Sequence, residues 1–284
     1  MKILILGGDG MLGHQLLRQW RERHEVRVTL RGALSDYAHH GLFDVSNTYV
    51  GIDIRQFEGI AKAHADFQPD AIINAVGHVK QRPEAEEGIP AIEINALLPH
   101  RLALLCREQG GRLVHLSTDC VFSGGAGNYQ EDDTPDPRDL YGRSKLLGEV
   151  SATPCITLRT SIIGRELSRK AGLLEWFLAQ AGSKKESING FRHAIYSGFT
   201  THEMARIIEH VLVGYPDACG LYHVSSKPIS KYDLLLMIKA QLGLEIEVMP
   251  DDDFRCDRSL DSSQFQKAFD YTPPSWNTMI AELK

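Results

Sequence analysis

A short apolar run, Lys2–Leu6, ends directly on Gly7-Gly8-Asp9-Gly10-Met11-Leu12-Gly13, and a segment of helical period opens behind it over Met11–Arg23. Gly8, Gly10 and Gly13 fit G-x-G-x-x-G, while Gly7, Gly10 and Gly13 fit G-x-x-G-x-x-G. Either spacing is weak alone. Its place between a buried strand and a helix is the context that a dinucleotide-binding loop requires. Glycines let the chain turn sharply and approach a pyrophosphate without a Cβ in the way, and the helix N-terminus offers N–H donors. A plain strand-to-helix turn is the weaker alternative. Gly7, Gly10, Met11, Leu12 and Gly13 are therefore expected to touch a cofactor. The leading MKILIL meets this loop too early for a signal peptide and reads as a buried strand.

Beyond the loop the chain keeps a βα rhythm. Strands are expected at Val26–Leu30, Tyr49–Ile52, Ala71–Asn74, Arg112–Ser117 and Cys155–Thr160. Helices are expected near Arg55–Phe67, Pro90–Gln109 and Arg138–Val150. That alternation implies an α/β fold: a Rossmann-type doubly wound parallel sheet with helices on both faces. After Gly164 the rhythm breaks. Helices at Ala171–Ala181, Thr200–Val213, Lys231–Leu242 and Ser262–Phe269 alternate with strand-like pieces at Ser187–Asn189, Ala194–Tyr196, Leu221–Val224 and Glu245–Met249. Asp251–Asp253 reads as a solvated loop, and Trp176 and Phe177 as core. Residues 1–164, with 198–225, are expected to bind NADP(H). A smaller, discontinuous part within 165–284 is expected to hold the substrate over the carboxyl ends of the strands.

The cofactor choice follows from the second strand. An NAD-preferring site places a carboxylate at its end for the ribose hydroxyls. Here the strand ends Val28-Thr29-Leu30-Arg31-Gly32, with a guanidinium suited to a 2′-phosphate, so NADP(H) is favoured over NAD(H). A net charge of −6 argues against a nucleic-acid partner. Five cysteines without a C-x-x-C pair argue against a zinc cluster or disulfide framework, and His39, His40 and His64 show no metal-ligand spacing. No run of roughly 18 apolar residues suggests a membrane span. A soluble cytoplasmic protein, alone or as a homodimer, is the expectation.

Tyr141-Gly142-Arg143-Ser144-Lys145 places a tyrosine and a lysine four apart on one helix face, after a strand that delivers Ser117 and Thr118 to the sheet's carboxyl edge. With these motifs the chain resembles the extended short-chain dehydrogenases, and within them the dTDP-4-dehydrorhamnose reductase group. The resemblance runs through the glycine loop, Asp53-Ile54, Asn74-Ala75-Val76-Gly77, Ser117 to Phe122, Tyr141 to Glu149, Leu158 to Ser161 and, more loosely, Arg258 to Asp261. It implies that Thr118 bonds the substrate oxygen, Tyr141 donates the proton and Lys145 touches the nicotinamide ribose. It also places Asp53 and Ile54 by the adenine and Ala75, Val76 and Gly77 along the cofactor. A tyrosine with a pKa of about 10 would then be made more acidic by the adjacent ammonium.

Two positions depart from the reductase pattern, with Cys120 where tyrosine is usual and Ser123 where aspartate is usual. Cys120 also replaces the glutamate of related 4,6-dehydratases, which makes dehydration unexpected. For the substrate, a nucleotide-activated 4-keto-6-deoxy sugar, the expected contacts are His78, Lys80, Cys120, Arg192 and Arg258, with Gln81 and Arg82 on the same rim; guanidinium forks suit a diphosphate. The expected activity is reduction of its keto group in surface-polysaccharide synthesis. Three alternatives remain. One is a 4-epimerase with tightly bound cofactor. Another is an epimerase-reductase like GDP-fucose synthetase, with Cys120 and His193 as acid and base. The last is a non-catalytic subunit like the beta subunit of methionine adenosyltransferase.

Overall fold

The computed structural model describes residues 1–79, 87–168, 170–183 and 185–283. The first half runs β1 (Lys2–Leu6), α1 (Gly13–Trp20), β2 (Glu25–Thr29), α2 (Leu34–Tyr37), β3 (Thr48–Tyr49), α3 (Phe57–Phe67) and β4 (Ala71–Asn74). Then come α4 (Gly88–Ala91), a π turn (Ile92–Leu97), α5 (Leu98–Gln109), β5 (Arg112–Thr118), α6 (Leu140–Leu147) and β6 (Cys155–Thr160). The remainder is β7 (Ile162–Ile163), α7 (Leu173–Ala181), β8 (Ser187–Tyr196), β9 (Phe199–Thr200), α8 (Thr201–Gly214) and β10 (Gly220–His223). It closes with β11 (Ile229–Ser230), α9 (Lys231–Leu242), β12 (Glu247–Asp257), α10 (Ser263–Ala268) and α11 (Trp276–Ala281).

Seven strands form one sheet in the order β10-β6-β5-β4-β1-β2-β3, and every pairing in it is parallel. Strand order reverses between β1 and β4, the switch point at which open α/β sheets bind ligands. Side chains of β1 alternate between two cores, as a strand's period of two requires. Ile3 and Ile5 join Leu16, Trp20, Phe177 and Met204 on one face; Leu4 and Leu6 join Ile60, Phe67, Leu102 and Leu113 on the other. Both faces are thus covered, as a parallel sheet demands.

The C-terminal part differs from the sequence reading in several places. Ser187–Asn189 and Ala194–Tyr196 are the two ends of the single strand β8, in a second sheet ordered β11-β8-β12. Gly190, between the two expected pieces, lies where a Cβ would meet Val248 and Tyr232, so its role is close approach within a continuous strand. Asp251–Asp253 is not a loop: it belongs to β12, where the register against β8 shifts between Asp251 and Arg255. The small pair β7–β9 and the last helix α11 escape the sequence patterns. Phe177 is core, whereas Trp176 is 38% exposed.

The helix expected over 90–109 is interrupted. Pro99 lacks the N–H that would bond the Asn95 carbonyl four residues back, and the chain widens there into the π turn. Residues 88–109 are long and apolar enough to cross a membrane, contrary to the expectation that no stretch is. Half of the apolar window is buried inside the protein.

Trp20 is fully buried between α1 and the sheet-face core. Trp20→Ala should therefore cost about 3–5 kcal/mol of unfolding free energy. Urea denaturation measures it, and a cost below about 1 kcal/mol would show that the core collapses around the missing ring.

Candidate active site

A cleft of about 490 Å³ opens along the carboxyl ends of β1, β4, β5 and β6. Gly7, Gly10, Met11 and Leu12 line it from the first turn, and Ala75, Val76 and Gly77 from the end of β4. The turn is held by close contact. Gly7 has φ +83°, and its N–H donates to Thr29 Oγ1 at 3.1 Å. A Cβ on Gly13 would run into the Gly7 carbonyl, so only glycine lets α1 begin this close to the strand end. Gly13 itself is buried beneath the cleft rather than on its wall.

Thr118, Cys120, Tyr141 and Lys145 form the facing wall. Asp139 caps α6 by accepting from the Gly142 N–H at 2.7 Å. Gly142 has no side chain because a Cβ would strike the Cys120 carbonyl. The helix therefore lies directly on the turn after β5, and Tyr141 reaches a hydrogen bond with Thr118. Thr118 Oγ1 also donates to Asp119 Oδ1 at 3.1 Å and accepts from the Cys120 N–H at 3.1 Å. Lys145, 3% exposed, donates from Nζ to the Leu116 carbonyl at 2.5 Å.

Burial decides the electrostatics. It pushes the Tyr141 phenol well above its ordinary range, Cys120 adds to this, and the Thr118 hydrogen bond works in the opposite direction. The expected lowering by the ammonium does not emerge: desolvation dominates, and Cys120, Asp119 and Asp139 add to it in disfavouring a phenolate. Burial likewise brings Lys145 down to about 8, with Glu149 opposing it.

Behind the wall lies a set of residues that sequence reasoning missed. Asn95, projected from the π turn, accepts the His78 N–H at 2.8 Å and donates to the His78 carbonyl at 2.9 Å and to Ser144 Oγ at 3.0 Å. His78 is thus fixed through its backbone and does not line the cleft. The one clue to Asn95 was Pro99 four residues on. Glu149 and Arg159 form a buried bidentate pair, both bonds 2.8 Å. Arg159 Nη1 meets His223 Nε2 at 3.1 Å. A guanidinium only donates, so Nε2 accepts, and the proton sits on Nδ1, which donates to the Tyr129 carbonyl at 2.9 Å. Burial and then Arg159 hold His223 neutral, its pKa brought down to about 4.

Other expected site residues are placed differently. Arg258 does line the cleft, donating from Nε to the Phe122 carbonyl at 2.9 Å and from Nη1 to Cys120 Sγ at 3.6 Å. Arg31 is exposed and off the cleft wall. Asp53 pairs with Arg55 at 2.8 Å, whose hydrogen bonds hold its carboxyl below the usual range, and Ile54 packs against the second core. Arg192 lies off the cleft, about half exposed, 3.6 Å from Asp252 and over the Tyr232 ring. His193 also faces Asp252, at 3.4 Å, rather than the cleft. Lys80, Gln81 and Arg82 lie outside the described residues.

The switch-point cleft, the glycine turn and a tyrosine–lysine pair on one helix define a Rossmann protein of the extended short-chain dehydrogenase architecture. The chain belongs to the family described as RmlD substrate binding domain, whose model matches residues 1–283. It is 26% identical to dTDP-4-dehydrorhamnose reductase of Escherichia coli, over 100% of this chain and 97% of that protein. It is 29% identical to the spore coat polysaccharide biosynthesis protein SpsK of Bacillus subtilis (87% and 82% covered). It is 30% identical to methionine adenosyltransferase 2 subunit beta of Bos taurus (86% and 72%). A crystal structure of dTDP-4-dehydrorhamnose reductase from Bacillus anthracis in complex with NADP shares the fold at a TM-score of 0.78, with 21% identity and 99% and 98% coverage.

His223 supplies a test of the buried network. Its pKa is about 4 folded against 6.5 unfolded, so the unfolded chain binds the extra proton between those values. Stability from this group is complete above about 6.5 and is lost as pH falls towards 4, at up to about 1.4 kcal/mol per pH unit. Urea midpoints measured from pH 7 to 4 should fall less steeply in His223→Asn. Equal slopes would show that His223 does not carry the effect.

Proposed function

We propose that the protein is an NADP(H)-dependent reductase that converts the keto group of a nucleotide-activated 4-keto-6-deoxy sugar to an alcohol, in making surface-polysaccharide precursors. The observation that carries this is the convergence of Thr118, Tyr141 and Lys145 on one wall of a cleft whose other wall is the glycine turn. The full-length likeness to a named dTDP-4-dehydrorhamnose reductase supports the substrate class, and the likeness to SpsK supports the polysaccharide setting. Residues 1–164 with 198–225 would hold the cofactor, and the rest of 165–284 the sugar nucleotide.

The cradle fits a dinucleotide. Gly7 and Gly10 put no Cβ on the cleft wall where the pyrophosphate would approach, and the Gly13–Gly7 contact seats α1 with its N-terminus there. Gly7 to Leu12, Ala75 to Gly77 and Lys145 would hold the cofactor, which when bound would supply the hydride to the carbonyl carbon. As that bond forms, the carbonyl electron pair moves to oxygen. Tyr141 gives that oxygen its phenolic proton while Thr118 holds it in place. A phenol kept protonated by burial is in the state that this step consumes. Arg258, with Nε and one Nη1 hydrogen engaged, keeps guanidinium hydrogens for the substrate diphosphate.

Two observations weigh against the rivals. An epimerase-reductase needs an acid on each face of the ring, and His193 is turned to Asp252 away from the cleft. A regulatory subunit has no need of the assembled trio.

Tyr141→Phe removes one oxygen from the proposed acid. It should fold and bind cofactor while turnover falls on the order of 10²–10⁴-fold. Net NADPH oxidation across a panel of nucleotide keto sugars tests both protein forms. No turnover by the unaltered protein with any of them would favour the regulatory subunit, and near-normal turnover by the variant would remove Tyr141 from its role.

Arg31→Ala addresses the cofactor. Arg31 lies two residues past the end of β2, near enough to Asp53 to lower its carboxyl beyond the effect of Arg55. The variant should weaken NADPH binding about tenfold or more and NADH binding little, in line with loss of a charge-assisted bond. Equal losses in a fluorescence titration would place Arg31 away from the 2′-phosphate.

A further inference from the structure

We infer that Phe254, backed by Phe191, is a stacking platform at the cleft mouth for the nucleobase of the substrate. The inference rests on the reading of the substrate as a nucleotide-activated sugar, and it says where the base is held.

The second sheet supplies one wall of the cleft. Side chains two apart on a strand share a face. Ala194 and Tyr196 of β8, Phe254 and Cys256 of β12, and Arg258 just past its end all line the cleft. Cys256 pairs with Ala194, so the two strands present one continuous surface. At its inner end Arg258 reaches Cys120, two residues from Thr118. At about 3.3 Å per residue, Phe254 lies roughly 13 Å from Arg258 along the strand. The wall thus runs from the reacting groups, through a guanidinium, to an aromatic ring. A sugar nucleotide has the same order: keto sugar, diphosphate, then ribose and base.

Phe254 is 48% exposed, although its ring centroid lies 5.0 Å from that of Phe191, tilted by 49°. The register of β12 against β8 shifts between Asp251 and Arg255, and such irregularities re-aim side chains beside a site. An apolar ring face left open in a cleft gains nothing for the fold, whereas every nucleobase has a π face that can cover it. The flank suits an uncharged ring rather than another phosphate. Arg192 and His193 face Asp252, Asn189 donates to Asp251 at 3.0 Å, and Arg255 does not line the cleft.

Calorimetric titration with dTDP, UDP, GDP and pyrophosphate, in the presence of NADP⁺, tests the platform. Phe254→Ala should weaken all three nucleotides by about 5- to 100-fold, because stacking tolerates every base, and leave pyrophosphate unchanged. Phe254→Tyr should bind like the unaltered protein, and Phe254→Leu like Phe254→Ala. A ring that only braces Phe191 would change unfolding midpoints and not affinities. Equal dTDP affinity in Phe254→Ala, full affinity in Phe254→Leu, or no nucleotide bound by the unaltered protein overturns the proposal. If the platform fails while a dTDP-linked keto sugar is still reduced, the reductase reading stands without it. Nucleotide binding that depends on Phe254, with no keto sugar turned over, rejects the reductase reading and leaves the platform standing.

Discussion

The architecture rests on a backbone contact: Gly13 of the first helix against the carbonyl of Gly7 at the end of the first strand. With no Cβ between them, α1 starts where β1 stops, and its N-terminus points across the switch point between β1 and β4. The same device recurs at Gly142, which seats α6 on the Cys120 carbonyl, and at Gly148, whose Cβ would strike the Asn95 carbonyl. Three close approaches thus bring the first turn, the π turn and the tyrosine helix around one cleft. A methyl group at any of them would have to push an element away from the sheet.

With the elements packed this tightly, desolvation outweighs individual charges as the main influence on the site's titrating groups. It raises Tyr141, lowers Lys145 and lowers His223. Each shift favours the uncharged form, which is what a dry site does to any ionisable group. In the same surroundings the Glu149 carboxylate is satisfied by two parallel bonds from Arg159 and a third from Ser117.

What was legible in the sequence was short in range. The glycine spacing, the tyrosine and lysine four apart, and the strand–helix rhythm of the first half each sit within a few residues, where period and turn chemistry act directly. The network behind them joins distant positions: Arg159 to His223 across 64 residues, and Arg258 to Cys120 across 138. Nothing local marks those partners. Arg192 shows the opposite failure. A guanidinium near a predicted substrate edge looks like a diphosphate clamp, yet strand alternation and Asp252 turn it outward. In β8, the expected strand pieces stopped at Asn189 and resumed at Ala194, whereas the strand runs straight through and uses the missing side chain of Gly190 to admit Val248 and Tyr232.

The relatives of similar identity include both a reductase and a methionine adenosyltransferase beta subunit, so likeness alone does not order the two functions. Chemistry does. A scaffold that only docks a partner gains stability from an apolar residue at every buried position, since desolvated ionisable groups are costly. This chain instead keeps a 3%-exposed lysine, a buried arginine–glutamate pair and a buried threonine hydrogen-bonded to a tyrosine, all beside one cleft. Groups that destabilise a fold in isolation, gathered where a ligand would react, are the arrangement that proton transfer requires.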